Sequence, residues 1–211
     1  MFGRIRGIST FILITLSFVS CNVIEIEPDI DAEFDPSIGA VLPLTYYSYI
    51  QTFSNQNQSF NNKYHAGEDA MGYGGIPVYA VMDGVVSFSG AMPGYGWLVI
   101  IDHPDENVYS LYGHISRSRN KISVDSVVSC GDLIGFLADD DEDGSGETFE
   151  GFTYPYWAPH LHFGIREGKK SDYPNTGDTR WEAGYTEVLP QTIGWYNPSA
   201  YILSKLNEFQ D

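Results

Sequence analysis

The chain is poor in cysteine and in basic residues. Cys21 and Cys130 are the only two cysteines among its 211 residues. Cys130 directly precedes Gly131 in a turn between strand-like segments, so we interpret it as a small structural thiol and not as a nucleophile. Lys and Arg number 11 against 28 Asp and Glu, which gives a formal net charge of −17. A surface this acidic repels polyanions and excludes nucleic acid as a partner.

Long helical periodicity is also missing after residue 20, and the sequence contains no internal repeat. Short runs rich in Val, Ile, Tyr and Phe, bounded by Gly, Pro, Asn and Asp, predict strands instead. These runs occupy residues 78–81, 84–89, 97–102, 108–112, 133–137 and 160–166. Together with 22 Gly, 11 Pro and 15% aromatic residues, they favour an all-β fold. A short helix is predicted only over residues 198–206, with Asn197 as its N-cap and Pro198 at its first position.

The first twenty residues have a composition of their own. Arg4 and Arg6 precede an uncharged, mostly apolar run over residues 7–20, which predicts a signal peptide that is too short for a comfortable membrane span. The run ends in a stretch that resembles the cleavage box of bacterial lipoproteins, although Phe18 stands where that box prefers Leu. We therefore expect Cys21 to carry lipid and to anchor the protein to a bacterial membrane, in the cell envelope outside the cytoplasm. An uncleaved anchor and secretion with a free thiol are the alternatives.

The composition then divides the rest of the chain into two parts. Residues 21–59 are expected to form an acidic tether, within which residues 40–53 are more apolar and form a candidate docking segment at the edge of the domain. Residues 60–211 are expected to form the β domain with a C-terminal extension.

A His-x-His pair, His160 and His162, lies in the last of the predicted strands. Residues two apart in a strand point to the same face, so the two imidazoles face one spot. Imidazole is both a common metal ligand and a common general base, and the pair could do either task or divide them. Taken alone, it could equally be two solvated histidines.

Further candidate ligands lie upstream of this pair. His65 and Asp69 are four residues apart, and His114 closes another strand-like run. Catalytic zinc keeps three nitrogen or oxygen ligands from the protein and one open position. Two histidines and one aspartate would fill that set, and two histidines would remain for proton transfer and oxyanion stabilisation.

With these motifs in order, the chain resembles the lysostaphin/LytM-type zinc metallopeptidases, which cut peptide cross-links of bacterial cell walls. The resemblance covers about residues 60–167. The matching stretches are residues 65–69, 75–86, 96–103, 111–114, 131–135 and 159–163. His103 ends one of these stretches outside the family's metal site, and we interpret it as structural.

The resemblance implies a role for each matching residue. His65, Asp69 and His162 would be the zinc ligands, His160 the catalytic base, and His114 a donor to the developing oxyanion. It also implies antiparallel β-sheets that form an open groove with zinc at its floor, and peptidoglycan stem peptides or cross-links as the substrate of an endopeptidase. A non-catalytic activator of another wall hydrolase, or a binding module of the same fold, is the alternative. The complete ligand set argues against the activator, and metal stoichiometry would test the binding module.

The largest departure from the family lies between residues 137 and 160. Its acidic part fits the spacing of a calcium-binding loop, with candidate ligands Asp139, Asp141, Asp143 and Glu150. The loop lacks flanking helices, and in so acidic a chain the match could arise by chance. The aromatic run that follows could either wall the cleft beside His160 or pack in an ordinary way; it comprises Phe152, Tyr154, Tyr156 and Trp157.

Overall fold

The computed structural model of the protein describes residues 39–139, 142, 148–149, 152–153 and 158–208. The expected signal peptide and the acidic first part of the expected tether lie outside these residues. Within the described ranges, no helix has the length and apolarity that a membrane span requires.

Short antiparallel strands make up most of the described chain, so the predicted all-β class is confirmed. The strands are β1 (Tyr49–Gln51), β2 (Gln56–Asn57), β3 (Lys63–His65), β4 (Glu68–Met71), β5 (Pro77–Tyr79), β6 (Gly84–Met92), β7 (Gly96–His103), β8 (Val108–Ile115), β9 (Val127–Val128), β10 (Leu133–Phe136), β11 (Thr148–Phe149), β12 (Phe152–Thr153), β13 (His160–Glu167), β14 (Tyr185–Thr186) and β15 (Trp195–Tyr196). Single 3₁₀ turns lie at Gln58–Phe60, Lys170–Asp172 and Pro190–Ile193, and the α-helix α1 spans Pro198–Glu208.

The main sheet has eight strands in the order β1-β4-β13-β8-β7-β6-β9, with β15 also paired to β13. Strands β6, β7 and β8 follow one another as hairpins, and β13 returns from far along the chain to lie between β4 and β8. A second, three-stranded sheet has the order β14-β3-β2. This topology places β13, which carries the His-x-His pair, directly beside β4, which carries Asp69.

Both faces of the main sheet are covered, which explains why its strands are nearly unbroken apolar runs. Successive residues of β7 alternate between two buried clusters: Leu98 and Ile100 belong to one, and Val99 and Ile101 to the other. Since neighbouring residues of a strand point to opposite faces, each cluster packs one face of the sheet. This arrangement fixes the register, because a one-residue slip would exchange the two sets of side chains.

The upstream segment is part of this fold. Ala40 and Leu44 are buried in one core cluster, and β1 is the edge strand of the main sheet. In the β1–β4 pair, Tyr49 lies opposite Ala70 and Gln51 opposite Asp69. The segment that we considered for docking therefore runs beside the strand that carries a candidate metal ligand.

Helix α1 confirms the helix predicted near the C-terminus. Its N-cap is Asn197, whose side-chain oxygen accepts a hydrogen bond from the Ala200 N–H at 3.0 Å. The first turn is also bound to the sheet, because Ser199 donates from its backbone N–H and from its hydroxyl to the buried Glu68 carboxylate, both at 3.1 Å.

Residues 175–196, called the wall segment below, fold back against β13. Arg166 of β13 is completely buried and holds this segment. Its guanidinium donates to the carbonyls of Thr179 (3.2 Å), Arg180 (2.9 Å) and Ile193 (2.9 Å). The wall segment is thereby tied to the strand that carries both histidines of the pair.

Candidate metal centre and active site

The side chains of three candidate metal ligands meet where the two sheets come together. Asp69 and His162 lie directly opposite each other in the β4–β13 pair, and His65 ends β3. His162 Nδ1 lies 3.0 Å from Asp69 Oδ1, His65 Nε2 lies 3.2 Å from the same oxygen, and the two imidazole nitrogens are 3.1 Å apart. All three residues are buried. They are the residues that the sequence singled out as metal ligands.

The spacing of these donors fits a small tetrahedral metal ion. Zinc binds His nitrogen and carboxylate oxygen at about 2.0–2.2 Å, which places two tetrahedral ligand atoms roughly 3.3 Å apart. The observed separations of 3.0–3.2 Å are close to that value. Within the described part of the chain, no other three His, Cys, Asp or Glu residues come together in this way.

The connection between β3 and β4 can pack closely against β13 and the His162 ring because it contains Gly67. A Cβ atom on Gly67 would lie 2.6 Å from the Phe163 carbonyl oxygen and 2.8 Å from His162 Nε2. Any side chain at residue 67 would therefore displace the His162 ring, and glycine is required there for close packing.

The ring of His65 is oriented by the upstream segment. Its Nδ1 lies 3.4 Å from the Thr52 carbonyl oxygen. Nε2 faces Asp69 and His162, so a metal bound at Nε2 would leave the ring proton on Nδ1, directed at that carbonyl.

The protonation states of Asp69 and His162 also suit the binding of a cation. Burial alone would raise the pKa of Asp69, but hydrogen bonds with His162 and His65 outweigh it and hold the pKa well below its usual range. Burial lowers the pKa of His162 to about 4, against the opposing effect of Asp69. Asp69 is thus ionised and His162 neutral at pH 7, as ligands must be.

His160 and His114 lie beside these donors. His160 Nδ1 donates to the Ala158 carbonyl at 2.8 Å, so its Nε2 carries the lone pair, and this atom is 3.8 Å from Asp69 Oδ1. Burial and the neighbouring His114 lower the pKa of His160 to about 4, so the ring is neutral at pH 7. The ring centres of His114 and His160 are 4.3 Å apart. His114 has a φ of 62°, a left-handed conformation that costs energy for a residue with a side chain and often marks a functional position.

An open groove of about 580 Å³ passes over these residues. One part of its lining is formed by Asp69 and His162 of the candidate metal centre, with His114 and His160. The rest comes from three segments that flank the centre, and includes Gln51, Asn57, Phe60, Lys63, Tyr95, Arg180, Gly184 and Tyr185. The groove is open enough to admit an extended chain.

Tyr185 is a lining residue that sequence reasoning missed. Its ring lies 5.0 Å from the His65 ring and stacks on Phe60 at 4.0 Å between ring centres. Its hydroxyl donates to Gln51 Oε1 at 2.9 Å and accepts from Asn57 Nδ2 at 3.2 Å. Tyr185 lies in no motif, and only the pairing of β14 with β3 brings it to His65.

Two further residues singled out in the sequence lie apart from the donors. His103 contacts the Asp83 carbonyl through Nδ1 (2.8 Å) and the Ser110 hydroxyl through Nε2 (2.7 Å), which fits the structural role we gave it. Burial, with Asp83 nearby, raises the pKa of Cys130 to about 11. A thiol with that pKa is a poor nucleophile at neutral pH.

The described residues lend the calcium hypothesis no support. The carboxylate of Asp139 pairs with Arg119 Nη2 at 2.8 Å. The other three candidate ligands, Asp141, Asp143 and Glu150, lie outside the described residues, as do the side chains of the aromatic run at residues 152–157. The roles considered for both groups stay predictions.

Comparison with known proteins connects this site to one family. The sequence model of peptidase family M23 matches residues 63–174, slightly more than half of the chain. The DD-carboxypeptidase/endopeptidase Mpg of Neisseria meningitidis serogroup B is 34% identical over 102 residues, which are 48% of this chain and 20% of that protein. Mpg of Neisseria gonorrhoeae matches to the same extent. The aligned region is therefore about a fifth of the length of these relatives.

Solved structures share the fold. Lysostaphin from Staphylococcus simulans superposes with a TM-score of 0.53 at 18% identity, over 80% of this chain and 54% of that one. CbpA from L. salivarius REN superposes with a TM-score of 0.54 at 17% identity, over 81% of this chain and 99% of that one.

Proposed function

The chain belongs to peptidase family M23, and from this premise we propose that it is a zinc metalloendopeptidase that cleaves stem peptides or cross-links of peptidoglycan. The observation that carries the proposal is the convergence of His65, Asp69 and His162 beside a neutral histidine, His160, with Asp69, His160 and His162 lining an open groove. The relatives named DD-carboxypeptidase/endopeptidase support the substrate class.

His65, Asp69 and His162 would hold the zinc ion, which supplies a Lewis acid for hydrolysis when bound. The ionised Asp69 carboxylate and the neutral His162 imidazole need no further deprotonation to bind it. The Thr52 carbonyl would keep the His65 ring in its ligating orientation.

His160 would act as the general base. The Ala158 carbonyl holds the proton of this ring on Nδ1, so Nε2 is available on the side of Asp69 to accept the proton of an attacking water. His114, whose ring adjoins His160, would donate a hydrogen bond to the oxygen of the scissile carbonyl as negative charge develops there.

We further propose that Cys21 carries lipid, which would hold the enzyme in the bacterial cell envelope close to its substrate. This rests on the sequence before Cys21 alone, since these residues lie outside the described part of the structure.

The test combines metal analysis with digestion of purified sacculi, followed by mass spectrometry of the released peptides. The protein should contain about one zinc per chain, and His65→Ala, Asp69→Ala or His162→Ala should remove it. His160→Ala should retain zinc but lose turnover by roughly two to four orders of magnitude, which is the usual contribution of a general base.

Two outcomes would contradict the proposal. Cleavage by a zinc-free preparation would refute the role of the metal. If wild type and His160→Ala are equally inactive on sacculi and both stimulate another wall hydrolase, the protein is a non-catalytic activator of the same fold.

A further inference from the structure

The charged side chains that line the groove are mostly basic, whereas those of the whole chain are mostly acidic. Acidic residues outnumber basic ones by 28 to 11 overall. Among the charged side chains that line the groove, Lys63 and Arg180 are basic and only Asp69 is acidic. Asp69 is a candidate zinc ligand, so its charge would be directed at the metal. A ligand in this groove therefore meets two cations on a protein that otherwise repels anions.

Arg180 belongs to the wall segment, and its backbone is held firmly in place. Its carbonyl accepts from the buried Arg166, and its neighbour Glu182 accepts at the backbone carbonyl from the Tyr95 hydroxyl at 2.9 Å. Gly184 packs against the metal centre, because a Cβ there would lie 3.7 Å from His162 Cε1. The position of Arg180 relative to the candidate zinc ligands is thus set by the fold.

The guanidinium of Arg180 is only partly used by the protein. Nε contacts Glu182 Oε1 at 3.2 Å, and Nη1 donates to the Gly177 carbonyl at 3.1 Å. Nη2 has no hydrogen-bond partner among the described residues. The side chain is one-third exposed, so an anion in the groove can reach it. A guanidinium binds carboxylates well because its N–H groups form a planar fork.

Lys63 provides a second, more mobile cation. It lies in β3, two residues before His65, and its Nζ is 3.3 Å from Glu187 Oε1. Glu187 is largely exposed, and an exposed ion pair of this kind contributes about 0–1 kcal/mol. A carboxylate bound in the groove could therefore replace Glu187 at little cost.

We propose that Arg180, assisted by Lys63, binds a free carboxylate of the peptide substrate. This inference rests on the proposed peptidase function and specifies its substrate class as peptides with a carboxylate near the scissile bond. Arg180 lies beyond residues 63–174, which the family description matches, so it is a feature of this chain's wall segment. The carboxylate could be the C-terminus of a stem peptide or the α-carboxyl of its γ-linked glutamate.

The experiment uses one synthetic stem pentapeptide in four forms, with the C-terminus free or amidated and the glutamate α-carboxyl free or amidated. The zinc-loaded full chain should cleave one free form about tenfold better, in kcat/KM, than its amidated counterpart, which is the size of one charge-assisted hydrogen bond. The amidation that lowers kcat/KM identifies the carboxylate that Arg180 binds. The preference should weaken with added salt.

Arg180→Gln should abolish this preference by raising KM for the free form, with kcat changed by less than about twofold. Arg180→Lys should keep part of the preference, and Lys63→Gln should reduce it less than Arg180→Gln does. Lys121→Gln removes the same charge from an exposed position outside the groove and should leave both parameters unchanged.

Binding of the four peptides to zinc-loaded His160→Ala, measured by titration calorimetry, gives a result that does not depend on turnover. Equal binding of free and amidated forms, or an equal loss for both in Arg180→Gln, would overturn the carboxylate inference while leaving the peptidase proposal intact. Carboxylate-dependent binding without cleavage by wild type would support the subsite and contradict the peptidase proposal.

Discussion

Replacing Arg166 with methionine should destabilise the protein strongly, although Arg166 contacts none of the three candidate metal ligands. The guanidinium is completely buried, and no carboxylate pairs with it among the described residues. Backbone carbonyls solvate its charge instead, with the Tyr173 ring 3.6 Å from Cζ. Methionine would fill much of the same volume but would leave those carbonyls without donors.

The size of the effect follows from the carbonyls that lose a donor. Thr179 is exposed, so water can replace the bond to its carbonyl. The carbonyls of Arg180 and Ile193 each accept a 2.9 Å bond from the charged group and are less accessible. A hydrogen bond to a charged group contributes roughly 1.5–3 kcal/mol, so the loss should be about 3–5 kcal/mol in the free energy of unfolding. For a chain of this size, that corresponds to a fall of roughly 10 °C in Tm.

Thermal unfolding followed by circular dichroism, at one fixed zinc concentration, measures this loss. Arg166→Lys should fall between wild type and Arg166→Met, because a single ammonium cannot reach both carbonyls as the fork does. Lys121→Met also replaces an exposed cation with methionine and should change stability by less than about 0.5 kcal/mol. A wild-type Tm for Arg166→Met, or full stability in Arg166→Lys, would refute the reasoning.

Two other predictions concern pH and the lipid anchor. Burial lowers the pKa of His103 to about 4, below the 6.5 of an unfolded histidine. As the pH falls below 6.5, the unfolded chain takes up a proton at His103 that the folded protein does not, so the folded state loses stability. The loss in the free energy of unfolding reaches about 3 kcal/mol near pH 4. Urea unfolding between pH 7.5 and 4.5 should therefore show a flatter pH dependence in His103→Gln than in wild type, and equal slopes would contradict this. Labelling of the full chain in a bacterial host with a fatty-acid analogue should be lost in Cys21→Ser and kept in Cys130→Ser, and the opposite pattern would show that the lipid is elsewhere.

The central strands of the main sheet could be predicted from the sequence because each is marked by a local pattern. Strands β6, β7 and β8 are apolar runs separated by turn residues, and β7 pairs with both of the others. The position of β13 between β4 and β8 depends on contacts distant in sequence and was not predicted. The N-cap at Asn197 predicts α1 in the same local way. The spacing of His65 and Asp69 and the His-x-His pair marked candidate ligands, and the family resemblance singled out His65, Asp69 and His162 among them. The register of β4 against β13 places Asp69 opposite His162.

The wall segment could not be predicted because tertiary contacts, and no local pattern, determine its path. It contains β14, one 3₁₀ turn and β15, and none of these elements is long enough to show a hydrophobic periodicity. The buried Arg166 fixes its course, yet in the sequence Arg166 is an ordinary charged residue near the end of a strand. Arg180 and Tyr185 reach the groove only through that contact and through the pairing of β14 with β3.

The groove therefore has two kinds of components with different origins. The candidate ligands and both histidines proposed for catalysis lie on β3, β4, β8 and β13, within the residues that the family model matches. Much of the flanking surface comes from outside that range. Gln51 and Asn57 lie upstream and Tyr185 downstream, and hydrogen bonds among the three join both flanks across the ring of His65. Since the proposed reaction uses only the first set, we expect changes in the flanks to alter which peptide is bound without altering the chemistry. Substrate selection in this protein should accordingly be sought in residues 49–60 and in the wall segment.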